Sequence, residues 1–274
     1  MNIHLTYFGD NNFSIGKNRI RKQAENFGVF KSIQEFGESD LEGTEFWEEH
    51  AKLLMIPRVG MPSKYYGYYA AKSYFVGKAL SNIPEDDVLL YVDSGCELNK
   101  NGLEKLQQYY QECLDNNGVF FTLDLPEIQW TKMDTYRRII DENDEYLMTR
   151  QIISGIFLIK NNSLMREIVD KWKNICLEDD GHYLDDSPSE LPNDSIFREN
   201  RHDQSILSLI LKIYSESYDF TFHEDDTYET IWNSAGLSGV PVGSEQARVW
   251  NTYGREYPIW ATRNGQIDFT NCEV

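Results

Sequence analysis

The sequence predicts an α/β fold: a mostly parallel sheet flanked by helices, with an irregular C-terminal extension. Two observations carry this. Short apolar runs alternate with amphipathic stretches over the first ~215 of 274 residues, the pattern of a parallel sheet covered by helices. Apolar residues make up 41% and charged residues 26%, the proportions of a chain that builds a core rather than a disordered one.

Asn2–Phe8 alternates and ends in Gly9-Asp10-Asn11-Asn12, a strand running into a loop. Ile15–Phe27 reads as a helix and Val29–Phe36 as a second strand. Thr44–Leu54 places Trp47, Ala51 and Leu54 at helical spacing. The aromatic-rich stretch from Lys64 reads as one helix that Pro84 closes. Val88–Val92 is continuously apolar, the mark of a strand buried on both faces. Asn101–Leu114 is a helix with Leu103, Leu106, Tyr110 and Cys113 on one face, and Gly118–Leu123 a further strand. Ile152–Lys160 is an apolar strand interrupted by Ser154-Gly155, where a β-bulge and a close approach by a ligand are equal readings. Ser163–Cys176 is a helix, Leu177–Asp194 an acidic surface loop or lid, Asp203–Tyr214 an apolar helix, and Tyr218–His223 a last strand. Residues 1–215 form the expected catalytic core, with 216–274 an extension packed on it.

Charge and cysteines narrow the partners. The formal net charge is −19, which repels nucleic-acid phosphates and anionic lipid, so no nucleic-acid partner is expected. No run of ~20 apolar residues is present, so no membrane span is expected. Cys96, Cys113, Cys176 and Cys272 are scattered and form no CxxC, which fits reduced thiols and a cytoplasmic location. The histidines make no HExxH, and no GxSxG, Walker A or GxGxxG is found. Zinc hydrolase, serine hydrolase, P-loop and dinucleotide-binding readings lose their support.

In a parallel sheet the ligand crevice opens at the carboxyl ends of the strands. Asp93 stands there, directly after Val88–Val92 and before Ser94-Gly95, although those three residues also make an ordinary turn. Tyr7, Gly9 and Asp10 occupy the matching exit of the first strand. Asp203 and Gln204 open a helix in "RHDQS", where a carboxylate either caps the first turn or faces a substrate.

Five segments in order carry a resemblance: the glycine-aromatic-lysine helix from Gly67 to Lys72, "YVDSGCELN" from Tyr91, "WTKMD" from Trp130, "QIISG" from Gln151 and "RHDQSILSLI" from Arg201. Together they resemble GT-A nucleotide-sugar glycosyltransferases, in particular small bacterial and viral enzymes of polysaccharide synthesis. The resemblance implies a hexose or deoxyhexose donor activated as a nucleotide diphosphate sugar, and a glycan or lipid-linked glycan acceptor. It implies donor binding by Tyr7, Gly9, Asp10, Lys72, Asp93, Ser94, Gly95, Ser154 and Gly155, with Lys72 on the diphosphate. Asp203 and Gln204 would serve catalysis, and Trp130 and Lys132 the acceptor, with Thr131 and Asp134 beside them.

In a DxD motif the second carboxylate binds a divalent cation, but Gly95 takes its place here. Asp93 would then hold Mn or Mg with Glu97 or His223, or bind ribose while cations such as Lys72, Arg255 or Arg263 neutralise the diphosphate. A sugar-nucleotide nucleotidyltransferase and a non-catalytic glycan-binding module are the competing readings. "GDNNFSIGKNR" matches the phosphate loop of the former poorly.

Overall fold

A computed structural model describes residues 1–58, 61–65, 67–224 and 256–262. Its strands are β1 (Ile3–Phe8), β2 (Ile33–Phe36), β3 (Pro57–Arg58), β4 (Met61–Tyr65), β5 (Val88–Val92), β6 (Glu97–Leu98), β7 (Gly118–Pro126), β8 (Arg150–Lys160), β9 (Thr221–Glu224) and β10 (Ile259–Trp260). Its helices are α1 (Ser14–Phe27), α2 (Glu45–Leu54), α3 (Gly67–Ser81), α4 (Leu103–Asn116), α5 (Glu127–Trp130), α6 (Met133–Ile140), α7 (Ser163–Leu177) and α8 (Asp203–Ser215).

Six strands form the central sheet in the order β2-β1-β5-β8-β7-β9. β1 pairs parallel with β2 and β5, and β7 parallel with β9. β8 runs antiparallel to both neighbours, β5 and β7. The sheet is mostly parallel, as the alternating pattern predicts, with one reversed strand inside it. The sixth strand, β9, comes from residues after 215.

Both faces of the sheet are covered, which is why β5 and β8 read as unbroken apolar runs. Alternation of side chains sorts β5 into two cores. Val88, Leu90 and Val92 pack with Ile3, Leu5, Ile20 and Leu106 on the α1 and α4 side. Leu89 and Tyr91 pack with Phe75, Phe157, Val169 and Trp172 on the α3 and α7 side. Trp172 is fully buried, and its indole N–H donates to the Asp203 carbonyl at 3.0 Å, which ties the start of α8 to α7.

Several boundaries differ from the sequence expectation. The stretch from Lys64 is not one helix: Met61–Tyr65 is a strand paired with β3, and the helix begins at Gly67. Gly67 abuts the end of α2 so closely that a Cβ there would lie 2.0 Å from the Leu54 Cα. The second strand is shorter, Ile33–Phe36, and β7 extends to Pro126. α5, α6 and the short pairing of β10 with β6 were not expected. The acidic segment starts with a tight turn in which Asp179 and Asp180 take left-handed backbone, at φ 50° and 53°.

Candidate active site

The exits of β5 and β8 meet at one point. β5 pairs with β8 up to Val92 against Ile156, and the Asp93 N–H then donates to the Gly155 carbonyl at 2.7 Å. The β7–β8 register shifts between Phe120–Phe157 and Thr122–Ile152, so Ser154-Gly155 sits in an irregular stretch of β8. The bulge has a use. A Cβ on Gly155 would lie 2.6 Å from Asp93 Oδ2, so the missing side chain is the space the Asp93 carboxylate occupies.

Lys72 of α3 reaches this point from the other side. Its buried ammonium lies 3.2 Å from Asp93 Oδ1, 2.9 Å from Asp203 Oδ2 and 3.2 Å from the Ser154 hydroxyl. Burial alone lowers the pKa of Lys72, but Asp203 and Asp93 outweigh it and the net direction is upward, so the charge is kept at neutral pH. The Tyr91 hydroxyl donates to the same Asp93 Oδ1 at 3.0 Å. Burial and the Asp93 charge hold that phenol protonated, its pKa well above the ordinary tyrosine value. Asp93 Oδ1 is thus held from the interior, while its side chain remains 24% exposed. The Asp203 side chain is 3% exposed.

These groups line a cleft of about 210 Å³. Lys72, Asp93, Ser154, Gly155, Asp203 and Gln204, from four segments of the chain, are brought together there. The cleft is completed by Tyr69, Glu199, Asn200, Arg201 and His202, which the sequence reading did not single out. Arg201 lies on the Trp130 ring, 4.8 Å from its centroid, and its N–H donates to the Trp130 carbonyl at 3.1 Å. His202 adopts φ 52° at the entrance to α8, stacks on Tyr69 with centroids 4.4 Å apart, and is held through Nδ1 by the Leu184 carbonyl. Only an unfavourable backbone conformation marks it, and a sequence does not print that.

Beneath the cleft the other motif residues form a buried polar network. Gln204 donates to Gln151 Oε1 at 2.7 Å. Gln151 in turn donates to Glu127 and to the hydroxyls of Thr131 and Ser205. Glu127, fully buried, also takes the Lys212 ammonium at 2.6 Å. Burial pulls the pKa of Lys212 down and Glu127 only partly offsets this. The network fixes the side-chain amide of Gln204 from behind.

Other expected site residues lie elsewhere. Tyr7 is a correction: its ring is fully buried in the α1-side core and its hydroxyl donates to Glu35 at 2.9 Å, so it offers no face to a base. Ser94 is a second correction, since its buried hydroxyl donates to the Phe8 carbonyl at 2.6 Å and clamps the exits of β1 and β5 together. Gly9 packs on that hydroxyl, Asp10 accepts from the Asn12 N–H at 2.8 Å, and Gly95 sits within the turn closed from Cys96 N–H to the Asp93 carbonyl. None of the five lines the cleft.

Lys132 is a third correction. It is 1% exposed and its ammonium is bound by the His182 carbonyl, Asp185 and Ser187, so it anchors the acidic loop instead of meeting an acceptor. Asp134 anchors the same loop, accepting from the N–H groups of Glu190 and Leu191. Trp130 is half-buried and carries Arg198 and Arg201 against its ring.

A divalent cation fits this donor set poorly. Asp93 and Asp203 are the hard oxygen ligands such an ion takes, but both already lie within ion-pair distance of the buried Lys72 ammonium. Glu97 is fully buried and bonded by Thr262, and His223 lies at the sheet edge on Glu112. Three strand spacings, roughly 14 Å, separate His223 from β5. Among the described residues no group of three or more His, Cys, Asp or Glu side chains is arranged to hold a metal. Arg255, Arg263 and Cys272 lie outside the described residues, and no helix among the described residues is long and apolar enough to cross a membrane.

No protein-family model matches the chain, and no curated protein sequence matches it. Solved structures do. One is a glycosyltransferase involved in glycosylation of the major capsid of PBCV-1, at 12% identity and TM-score 0.48, covering 97% of this chain and 100% of the other. The galactosyltransferase LgtC, in complex with donor and acceptor sugar analogues, aligns at 12% identity and TM-score 0.46 over 94% and 86%. Mouse xyloside xylosyltransferase 1 aligns at 13% and 0.43 over 95% and 97%.

Proposed function

We propose that the protein is a glycosyltransferase that moves a hexose or deoxyhexose from a nucleotide diphosphate sugar to a hydroxyl of a growing glycan, free or lipid-linked. The observation that carries this reading is the Lys72 ammonium bridging Asp93 and Asp203 at 3.2 and 2.9 Å in the cleft at the end of β5. The three residues come from three of the five segments that resemble GT-A enzymes, and both carboxylates lie within ion-pair distance of the Lys72 ammonium in one cleft.

The chemistry asks three things of that site. The bond between the anomeric carbon and the diphosphate oxygen breaks, with the electron pair leaving on the diphosphate. The acceptor oxygen forms the new bond to the same carbon and gives up its proton. Asp93, the more exposed of the two carboxylates, holds donor hydroxyls at the strand end. Asp203 and Gln204 face the reacting sugar. In an inverting transfer Asp203 takes the acceptor proton; in a retaining one it holds sugar hydroxyls and opposes the positive charge that develops on the ring. Lys72 and the buried network keep these groups in place, and placement to within about 1 Å governs such rates.

Incubation with a panel of UDP-, GDP- and dTDP-sugars tests the reading. Release of free nucleoside diphosphate from at least one donor is the expected result. Pyrophosphate release from a nucleoside triphosphate with a sugar phosphate, and no diphosphate from any donor, would instead indicate a nucleotidyltransferase.

A further inference from the structure

We infer that Gln151, a positioning residue held by Glu127 behind the cleft, decides which end of the Gln204 amide meets the substrate: the oxygen, facing a hydroxyl of the donor sugar. The inference rests on the glycosyltransferase reading and places the sugar half of the donor, not the diphosphate, at Gln204.

The orientation of a buried side-chain amide follows from its partners. Glu127 is fully buried and paired with the Lys212 ammonium, so its carboxylate only accepts. One oxygen takes Lys212 and the Ser208 hydroxyl. The other takes the Thr131 hydroxyl and Gln151 Nε2, the latter at 3.1 Å. Gln151 Nε2 also donates to the Trp130 carbonyl at 3.1 Å. The carboxylate and the carbonyl are both pure acceptors. Turning over the Gln151 amide, itself fully buried, would set its oxygen against two others, and burial makes such unmatched groups costly. The Gln151 oxygen is therefore fixed on the Gln204 side, where it accepts from Gln204 Nε2 at 2.7 Å.

That bond uses the nitrogen end of Gln204. The oxygen end has no hydrogen-bond partner among the described residues, and it is not one of the buried side-chain atoms left unpaired. It therefore opens to the cleft that Gln204 lines, although the residue is only 7% exposed. Ser208 holds the register that makes this possible: its hydroxyl takes the Ile152 N–H at 2.9 Å and ties the start of β8 to α8. A carbonyl oxygen accepts and cannot donate. An ionised phosphate oxygen at that point would meet a second acceptor, whereas a sugar hydroxyl donates to it.

Two measurements test this. The first needs no substrate. Side-chain amide exchange in the wild-type protein, followed by NMR, should show at least one Gln204 N–H proton exchanging with water about 10-fold or more slower than the amide of free glutamine. Both protons at the unprotected rate would overturn the inference. The second uses whichever UDP-, GDP- or dTDP-sugar releases diphosphate, together with its monodeoxy and deoxyfluoro analogues, with affinity read by calorimetry in the absence of acceptor. At one hydroxyl position, replacement by hydrogen and by fluorine should weaken binding equally, about 5- to 100-fold, because fluorine cannot donate to Gln204 Oε1. Gln151→Met removes the bond that orients the amide, so Gln204 can turn its N–H groups outward. The fluoro analogue should then bind about 3-fold more tightly than the deoxy one, the scale of a weak hydrogen bond. A merely structural Gln151 would lower the thermal midpoint and leave that ratio at one. Fluoro analogues that match the parent sugar or outbind the deoxy ones at every position in the wild type, or a ratio of one in Gln151→Met, overturn the inference and leave the glycosyltransferase reading standing. Should Gln151→Met not fold, the wild-type measurements decide alone. Diphosphate release from none of the donors overturns the glycosyltransferase reading, while the exchange measurement still decides the orientation of Gln204.

Discussion

Gly155 shows how little tolerance the site has at the scale of one residue. The nearest atom to a Cβ built there is Asp93 Oδ2, at 2.6 Å. Gly155→Ala must push that carboxylate away from the Lys72 ammonium and the Tyr91 hydroxyl. Transfer is expected to drop at least ~10-fold, since misplacement of about 1 Å costs up to ~100-fold, with the thermal midpoint little changed. Normal turnover in that variant would mean that the position of Asp93 is not critical. Lys72 holds the same point electrostatically. Its pKa is raised in the folded protein, so the stabilisation it gives is complete below the unfolded value of ~10.4 and is lost only as pH climbs beyond it. Chemical denaturation should therefore show no loss of stability from this group between pH 6 and 9. Lys72→Met strands the two carboxylates and should cost ~3–5 kcal/mol. Asp93 was legible because a polar residue after a buried run is conspicuous, and Asp203 because a carboxylate opens the apolar helix of the "RHDQS" segment. The distinction between Tyr7 and Asp93 was not legible. Both end apolar strands, and only the packing of α1 shows that one ring points into a core.

At the scale of elements, α6 and the acidic loop form one unit that periodicity missed. α6 has eight residues, and its apolar face is spread over Tyr136 and Ile140, which meet Leu209 of α8. Too few turns are present for a periodic signal. The N–H groups at the start of α6 are satisfied by the loop and the stretch after it: Met133 N–H by Asn193 and Asp134 N–H by Ser189, with the preceding Lys132 N–H donating to Asn200. The loop is held in return by the Asp134 carboxylate. Burial works against that charge, but the Leu191 and Glu190 N–H groups and His182 more than offset it, and its pKa is lowered. A depressed carboxylate gives stability above its unfolded pKa of ~3.9, lost as pH falls through the folded value. Asp134→Asn should thus cost ~1.5–3 kcal/mol at pH 7, with the gap from wild type narrowing as pH falls below ~3.9 in urea denaturation. A gap that does not narrow with falling pH would mean the loss is one of shape and not of charge. The network behind Gln204 gives a parallel case. Lys212→Met leaves the fully buried Glu127 without its ammonium and should cost ~3–5 kcal/mol, while adding Glu127→Gln should recover most of it. Strict additivity of the two changes would argue that the pair is not coupled.

The molecule as a whole converts order in sequence into nearness in space. Lys72, Asp93, Ser154 and Asp203 are spread over 132 residues of chain and meet because α3, β5, β8 and α8 all end or begin at one edge of the sheet. The alternation of elements announced that sheet, and the carboxyl-end rule announced the edge. The reversal of β8 was not announced, since an apolar run buried on both faces reads alike in either direction. That reversal decides the site. Because β8 runs antiparallel to β5, its Ser154-Gly155 lies just beyond the Val92–Ile156 pair, beside Asp93. Trp130, Thr131 and Gln151 were legible as motif residues but not as a buried frame, because their partner Glu127 belongs to no segment that stands out. The most direct measurement is a structure with a bound nucleoside diphosphate, chosen as the tightest of UDP, GDP and dTDP. The account predicts the nucleotide within hydrogen-bond reach of Asp93, in the cleft that Lys72 and Asp203 also line. A nucleotide seated elsewhere, such as the surface groove between Arg138 and Arg166, with the Asp93 cleft empty, would contradict it.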